Sequence, residues 1–331
     1  MSHNIDRRSF IRKSLLTPAA GALAMHAMQG KASAGDAAGQ SLTPQSLPAS
    51  KAGLPTGRIK DLQISRLLLG GNLLTHFTHS RDLKYVYTLT AHYNTEEKIF
   101  ETMAAAEAHG VNTLVIHTAP GVVSMLKKYR YKQGGKIQWI ICPTAQVDTD
   151  PEGYATQVRE LADEGVDAIY LWGVSADRLV SEGKADMIAK AVNIAKEHGV
   201  PSGVGAHDLT VIKECEQRKI DADFYIKTFH HHSYPSAPKA DELTRVYCEV
   251  PGYWCKNPDE VIDFMKGVEK PWIAFKVMAA GAIPPADAFR YVFNNGADFV
   301  LAGMFDFEIA EDVLVADAAL REAKRIRPWR S

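Results

Sequence analysis

At 331 residues, 46% of them hydrophobic and 23% charged, the chain is long enough for one large α/β domain or two small ones. Its 38 basic and 39 acidic residues nearly cancel, which excludes the electrostatic footprint of a nucleic-acid or anionic-membrane binder. No uninterrupted apolar run approaches the roughly 18–20 residues that a membrane span needs, so none is expected in the mature protein.

The first element is an address. Asp6-Arg7-Arg8-Ser9-Phe10-Ile11-Arg12-Lys13 resembles a twin-arginine export signal. A weakly apolar segment follows to Met28, and Ala32-Ser33-Ala34 offers a small-x-small cleavage site. Residues 1–34 are therefore expected to be a signal peptide read by the twin-arginine export machinery, which places the mature protein in the periplasm or outside the cell. Residues 35–56, rich in Ala, Ser, Gly, Gln and Pro, are expected to be a flexible leader. Of the four cysteines, Cys248 and Cys255 lie close in sequence, and either a disulfide between them or free buried thiols fits an oxidising compartment.

From residue 57 to 331 short apolar runs alternate with helix-length amphipathic segments, the pattern of a parallel α/β fold. Strands are predicted over 66–70, 113–117, 139–143, 168–173, 202–206, 224–228, 272–277 and 299–303, each nearly continuously apolar as for strands covered on both faces. Asn94 with Glu97, Asp150-Pro151 and Asn257-Pro258 read as helix starts. Gly110, Gly165, Gly199 and Gly296 read as left-handed helix ends. Eight such units predict a single (β/α)8 TIM barrel. The alternative, an open doubly wound sheet, would show a Gly-rich phosphate turn after its first strand, and Gly70-Gly71-Asn72 is too short for one.

Ile64 to Gly70, Asn94-Thr95-Glu96-Glu97 through Ala119, Ala274-Phe275-Lys276 with Ala279-Ala280-Gly281, and Ala302-Gly303-Met304 with Glu311-Asp312 are similar to segments of the aldo-keto reductases. The resemblance covers about a third of the chain clearly, and it implies the same barrel. It also implies a catalytic tetrad, which this chain does not keep. The family's Asp falls on His117 and its Tyr on Val122. Its Lys falls within Ile141-Cys142-Pro143-Thr144, which holds none, and its His falls on or beside Trp172. Where the family clamps the adenosine phosphate with basic side chains, Phe305-Asp306-Phe307-Glu308 places two carboxylates, so NADP is expected to be disfavoured.

In such barrels chemistry sits at the C-terminal strand ends, so polar residues there are the candidates. His117, His207, Lys227 and Lys276 are predicted to be catalytic, as proton carriers or as cations facing developing negative charge. Asn72, Trp172, His231, Tyr253 and Trp254 are predicted to bind substrate, the last two from a long aromatic loop (234–254) that would act as a lid. His117, His207, His230 and Asp306 are predicted to hold a divalent metal, Zn²⁺ or similar. These assignments lead to an exported enzyme acting on a small polar, carbohydrate-derived molecule by acid-base or metal-assisted lyase, isomerase or hydrolase chemistry. The alternatives are an NADP-dependent aldo-keto reductase-like oxidoreductase with a rearranged site, and a non-catalytic barrel that binds a small molecule.

Overall fold

The computed structural model describes residues 53–331, so the export signal and nearly all of the leader expected from the sequence lie outside the described residues. The chain enters through a hairpin, β1 (Thr56–Ile59) and β2 (Leu62–Ser65). Leu54 is already buried against the helices. The barrel strands follow: β3 (Leu67–Gly70), β4 (Thr113–His117), β5 (Gln138–Cys142), β6 (Ala168–Leu171), β7 (Ser202–Ala206), β8 (Phe224–Thr228), β9 (Trp272–Phe275) and β10 (Phe299–Ala302). Each pairs in parallel with the next, and β10 closes on β3. Every predicted strand is present, within one or two residues of its expected limits.

Between β3 and β4 lie α1 (Tyr85–Tyr93) and α2 (Glu96–Ala108); between β4 and β5, α3 (Val122–Lys127) runs into a π-turn. Then come α4 (Pro151–Asp163), α5 (Gly173–Ser181), α6 (Asp186–Glu197) and α7 (Leu209–Gln217). The last are α8 (Pro258–Met265), α9 (Pro285–Asn294) and α10 (Ile309–Arg321). No helix among the described residues is long and apolar enough to cross a membrane. Gly110 ends α2 at φ +85°, as expected where only glycine avoids a Cβ penalty. One cap differs from expectation. Thr95, not Asn94, accepts the Lys98 N–H at the start of α2, while Asn94 is buried and donates to the Leu73 carbonyl.

Strand alternation sets the two faces. Leu68, Val115, Ile140, Ala168, Phe224, Ile226, Ile273, Phe299 and Leu301 fill the barrel interior, and Ile59 and Ile64 of the hairpin join this cluster and plug its N-terminal end. The intervening residues pack against the helices. Gly203 faces inward because the Phe224 ring occupies the space, where a Cβ would meet ring carbon at 2.4 Å. At the same end Asp298 accepts the Trp272 and Arg330 N–H groups and pairs with the fully buried Arg327 guanidinium at 2.7 Å. The C-terminal tail thereby seals the plugged end, and the opposite rim is left open for a site.

Candidate functional site

Two joined cavities occupy the C-terminal rim. The larger, about 410 Å³, runs from the ends of β3, β9 and β10 to the start of α10. The smaller, about 50 Å³, lies toward β4, β6 and β7 and holds His117, Trp172 and His207. Asn72, His79, Tyr170, Phe275 and Lys276 line both, so Lys276 stands at their junction.

His207 is positioned by a close backbone approach. Gly205 faces Gly173, and a Cβ at Gly205 would meet the Gly173 nitrogen at 2.8 Å, so α5 begins hard against β7. One turn into α5, Asp177 accepts the backbone N–H groups of His207 (3.0 Å) and Asp208 (2.9 Å) and lies 2.7 Å from His207 Nδ1. A carboxylate only accepts, so the ring donates from Nδ1 and keeps a bare Nε2. Burial pushes the His207 pKa down against the opposing pull of Asp177, so the ring is neutral at pH 7. His117 is likewise lowered by burial, and it stacks on Trp172 with centroids 6.4 Å apart.

Lys276 follows β9 with φ +55°, a strained conformation for a side-chain-bearing residue. Burial lowers its pKa to about 7, partly offset by Glu249 and Asp177. Its Nζ lies 2.8 Å from His79 Nε2, and His79 Nδ1 lies 2.5 Å from Glu249 Oε1. Glu249 arrives from the 234–254 loop, which folds over the rim. Tyr247 of that loop packs on His207 at 4.7 Å, and Trp254 lines the larger cavity under Lys276. Ala279, Ala280 and Gly281 continue in left-handed conformation (φ 47°, 55° and 81°), and the Ala280 and Gly281 N–H groups have no acceptor among the described residues. Ala280 and Gly281 line the larger cavity.

Of the residues predicted from sequence, His117, His207, Lys276, Asn72, Trp172 and Trp254 therefore meet at this rim. Lys227 does not. Phe224 and Ile226 face inward, so Lys227 faces the helices, fully buried, donating to the Thr228 carbonyl and hydroxyl. Tyr253 braces the loop, donating to the Glu242 carbonyl and accepting from the Arg245 N–H. His231 accepts from the Ser233 N–H and packs on Tyr291 of α9. Asp177, His79 and Glu249 were not among the predicted catalytic or binding residues. Asp177 and Glu249 lie in a helix and a loop, where one carboxylate among many carries no spacing signal.

The predicted metal set does not assemble. His230 donates from Nδ1 to the His231 carbonyl and accepts the Trp254 and Cys255 N–H groups at Nε2, so both nitrogens are spent anchoring the loop. Asp306 accepts from the Tyr93 hydroxyl at 2.6 Å and pairs with Lys98 at 3.3 Å. Among the described residues no group of three or more His, Cys, Asp and Glu side chains has the arrangement to hold a metal. All four cysteines are free, and burial pushes Cys142 up to about 12 beside Tyr170.

No protein-family profile and no curated protein matches the chain. Solved structures do. A protein described as an aldo-keto reductase from Pseudomonas aeruginosa is 16% identical with a TM-score of 0.53, over 80% of this chain and 95% of its own. An aldo-keto reductase from Bacillus halodurans, in its holo form, is 12% identical with a TM-score of 0.52, over 83% and 98%. Gox0644, as a point mutant in complex with NADPH, is 12% identical with a TM-score of 0.50, over 80% and 88%. The fold is an aldo-keto reductase-like (β/α)8 barrel. These neighbours overturn the order of preference drawn from the sequence, which set lyase, isomerase or hydrolase chemistry and a metal above an oxidoreductase and NADP. Of the two carboxylates expected to repel a nucleotide phosphate, Asp306 pairs with Lys98, whereas Glu308 accepts the Phe305 N–H and still lines the larger cavity beside Asp312.

Proposed function

We propose that the protein is an NADP(H)-dependent oxidoreductase that interconverts a carbonyl and an alcohol on a small polyhydroxylated molecule, with a site rearranged from that of the aldo-keto reductases. The observation that carries this reading is the cavity of about 410 Å³ at the ends of β9, β10 and β3, joined at Lys276 to a smaller imidazole-lined pocket. Its volume lies within the usual range for small-molecule sites. The residues present fit a nicotinamide nucleotide. The unpartnered amides of Ala280 and Gly281 suit phosphate oxygens, whereas Glu308 and Asp312 at the start of α10 turn phosphate away from that side of the cavity. Bound there, the nucleotide supplies a hydride donor or acceptor.

The chain's own residues then act on the substrate. Lys276 faces the reacting oxygen from the junction and holds or takes its proton, the task a tyrosine performs elsewhere in this fold. His207, fixed as the Nδ1–H tautomer by Asp177, accepts a hydrogen bond from a substrate hydroxyl at Nε2. Trp172 and Phe77 line the smaller pocket and offer apolar faces to a sugar-like ring. Folding around the nucleotide before export through the twin-arginine machinery would reconcile this cofactor with a periplasmic address, for which Arg7 and Arg8 are the support. The test is spectrophotometric. Purified protein given NADPH and a panel of sugar-derived ketones and aldehydes is expected to oxidise the nucleotide in step with alcohol formation. Conversion of such substrates with no nucleotide change would overturn the proposal.

A further inference from the structure

Lys276 is tied at Nζ to His79, and His79 is tied at its other ring nitrogen to Glu249, a carboxylate of the covering loop. The three come from separate segments: the turn after β9, the loop after β3 and the loop after β8. Nothing in local folding requires them to meet. Glu249 has 37% of its side chain exposed and His79 has 19%, although Glu249 Oε2 itself is buried without a partner, so the line runs from the cavity junction to a carboxylate just beneath the loop surface. Around Lys276 the neighbours Trp254 and Phe275 are apolar, with the ammonium position 5.5 and 5.4 Å from their rings. On the side away from the cavities, His79 is therefore the polar partner open to a proton released at Lys276.

We propose that Glu249, His79 and Lys276 form a proton relay that carries the substrate's hydroxyl proton out of the cavity during alcohol oxidation and returns one during carbonyl reduction. The inference rests on the oxidoreductase reading above and adds two relay residues to it. The hydrogen bonds set the direction of transfer. With Glu249 ionised, His79 donates from Nδ1 and presents a lone pair at Nε2. In oxidation the substrate O–H bond breaks as a new N–H bond forms on the neutral Lys276 amine. For the C=O double bond to form, the carbinol hydrogen must leave with its electron pair, and a bound oxidised nicotinamide nucleotide would be the acceptor. Lys276 then passes a proton to His79 Nε2 while Nδ1–H passes to Glu249, which releases it to water. Reduction runs the same steps backwards.

The groups facing Lys276 fix the expected electrostatics. His79 comes from the loop after β3, Glu249 and Tyr247 from the covering loop, Asp177 from α5 and His207 from the end of β7. Glu249 and Asp177 favour the ammonium, whereas burial opposes it. Removing the Glu249 charge must therefore lower the Lys276 titration midpoint further.

Two measurements test the relay. Pulse labelling of the full chain with acetic anhydride across pH, read by mass spectrometry at Lys276, needs neither substrate nor nucleotide. The midpoint is expected near 7 in the wild type and lower in Glu249→Gln. In turnover assays, His79→Ala and Glu249→Gln are expected to lose about 10²-fold or more in kcat with unchanged NADPH affinity. Free imidazole should restore activity to His79→Ala, a rescue that a merely structural role would not give. Lys276 labelling with an ordinary surface-lysine midpoint, or an identical kcat and pH profile in Glu249→Gln, would overturn the relay. If the labelling midpoints move as described but no nucleotide binds the wild type, the oxidoreductase reading falls while the coupling of the three residues stands.

Discussion

Replacing Asp177 with Asn separates what this carboxylate does for the fold from what it does for the site. Asp177 Oδ1 accepts the backbone N–H groups of His207 and Asp208, at 3.0 and 2.9 Å, and Oδ2 faces His207 Nδ1 at 2.7 Å. An asparagine oxygen can keep both backbone bonds, which leaves its amide NH₂ against Nδ1. Two donors cannot face each other, so the imidazole proton must move to Nε2. The fold loses only the charge-assisted part of one hydrogen bond, about 1–2 kcal/mol, or a fall of roughly 2–4 °C in Tm for a domain of this size. The pocket loses more of what matters. Nε2 changes from acceptor to donor, and a substrate hydroxyl that donated to it is left unpaired at a cost of about 1–3 kcal/mol, or roughly 10- to 100-fold in kcat/KM. ¹⁵N NMR of the histidine ring reports the tautomer, calorimetry the stability and steady-state kinetics the activity. A flipped tautomer with kcat/KM unchanged would refute the role given to His207.

Other consequences are independent of that dyad. His230 is buried and neutral, its pKa lowered from 6.5 to about 3, mainly by burial. The unfolded chain binds a proton below pH 6.5 that the native ring refuses, so stability is fully present above that pH and drains away as pH falls toward 3. Urea unfolding at pH 7 and pH 5 should show this loss. His230→Gln should be less stable at pH 7 but show a shallower decline, and equal declines would contradict the assignment. Lys227→Met removes an amine that faces the helix layer, hydrogen-bonds only Thr228 and reaches Asp177 and Asp208 through charge alone. Turnover is expected to stay within about threefold of wild type, with stability unchanged or raised, because a buried amine is costly to keep. A loss of activity on the scale of a removed acid or base, roughly 10²-fold, would place Lys227 back in the site.

The barrel was legible because buried parallel strands appear as apolar runs bounded by caps and glycines. β4, β7 and β8 coincide with their predicted limits. The β1–β2 hairpin was not recognised. Its two four-residue strands show no long apolar run, and their partner is the barrel floor rather than a neighbouring β/α unit. At the site, chemistry-bearing residue types at strand ends could be read, but their direction was not used. Counting by two from Ile226 would have turned Lys227 outward and Thr228 inward. His230 was misread as a metal ligand for a different reason. Its Nε2 satisfies loop backbone at Trp254 and Cys255, partners that become visible only once the covering loop has folded. Asp177 and Glu249 became visible in the same way, since each acts through a histidine more than twenty residues away in sequence.

Isothermal titration of the purified protein with NADPH tests the central claim most directly, because the claim is that the larger cavity receives a nicotinamide nucleotide. One NADPH per chain is expected, with binding weakened when Gly281, at φ +81° in the cavity wall, is replaced by Val. Heat of dilution alone at millimolar nucleotide, from protein shown to be folded and nucleotide-free, would contradict the account.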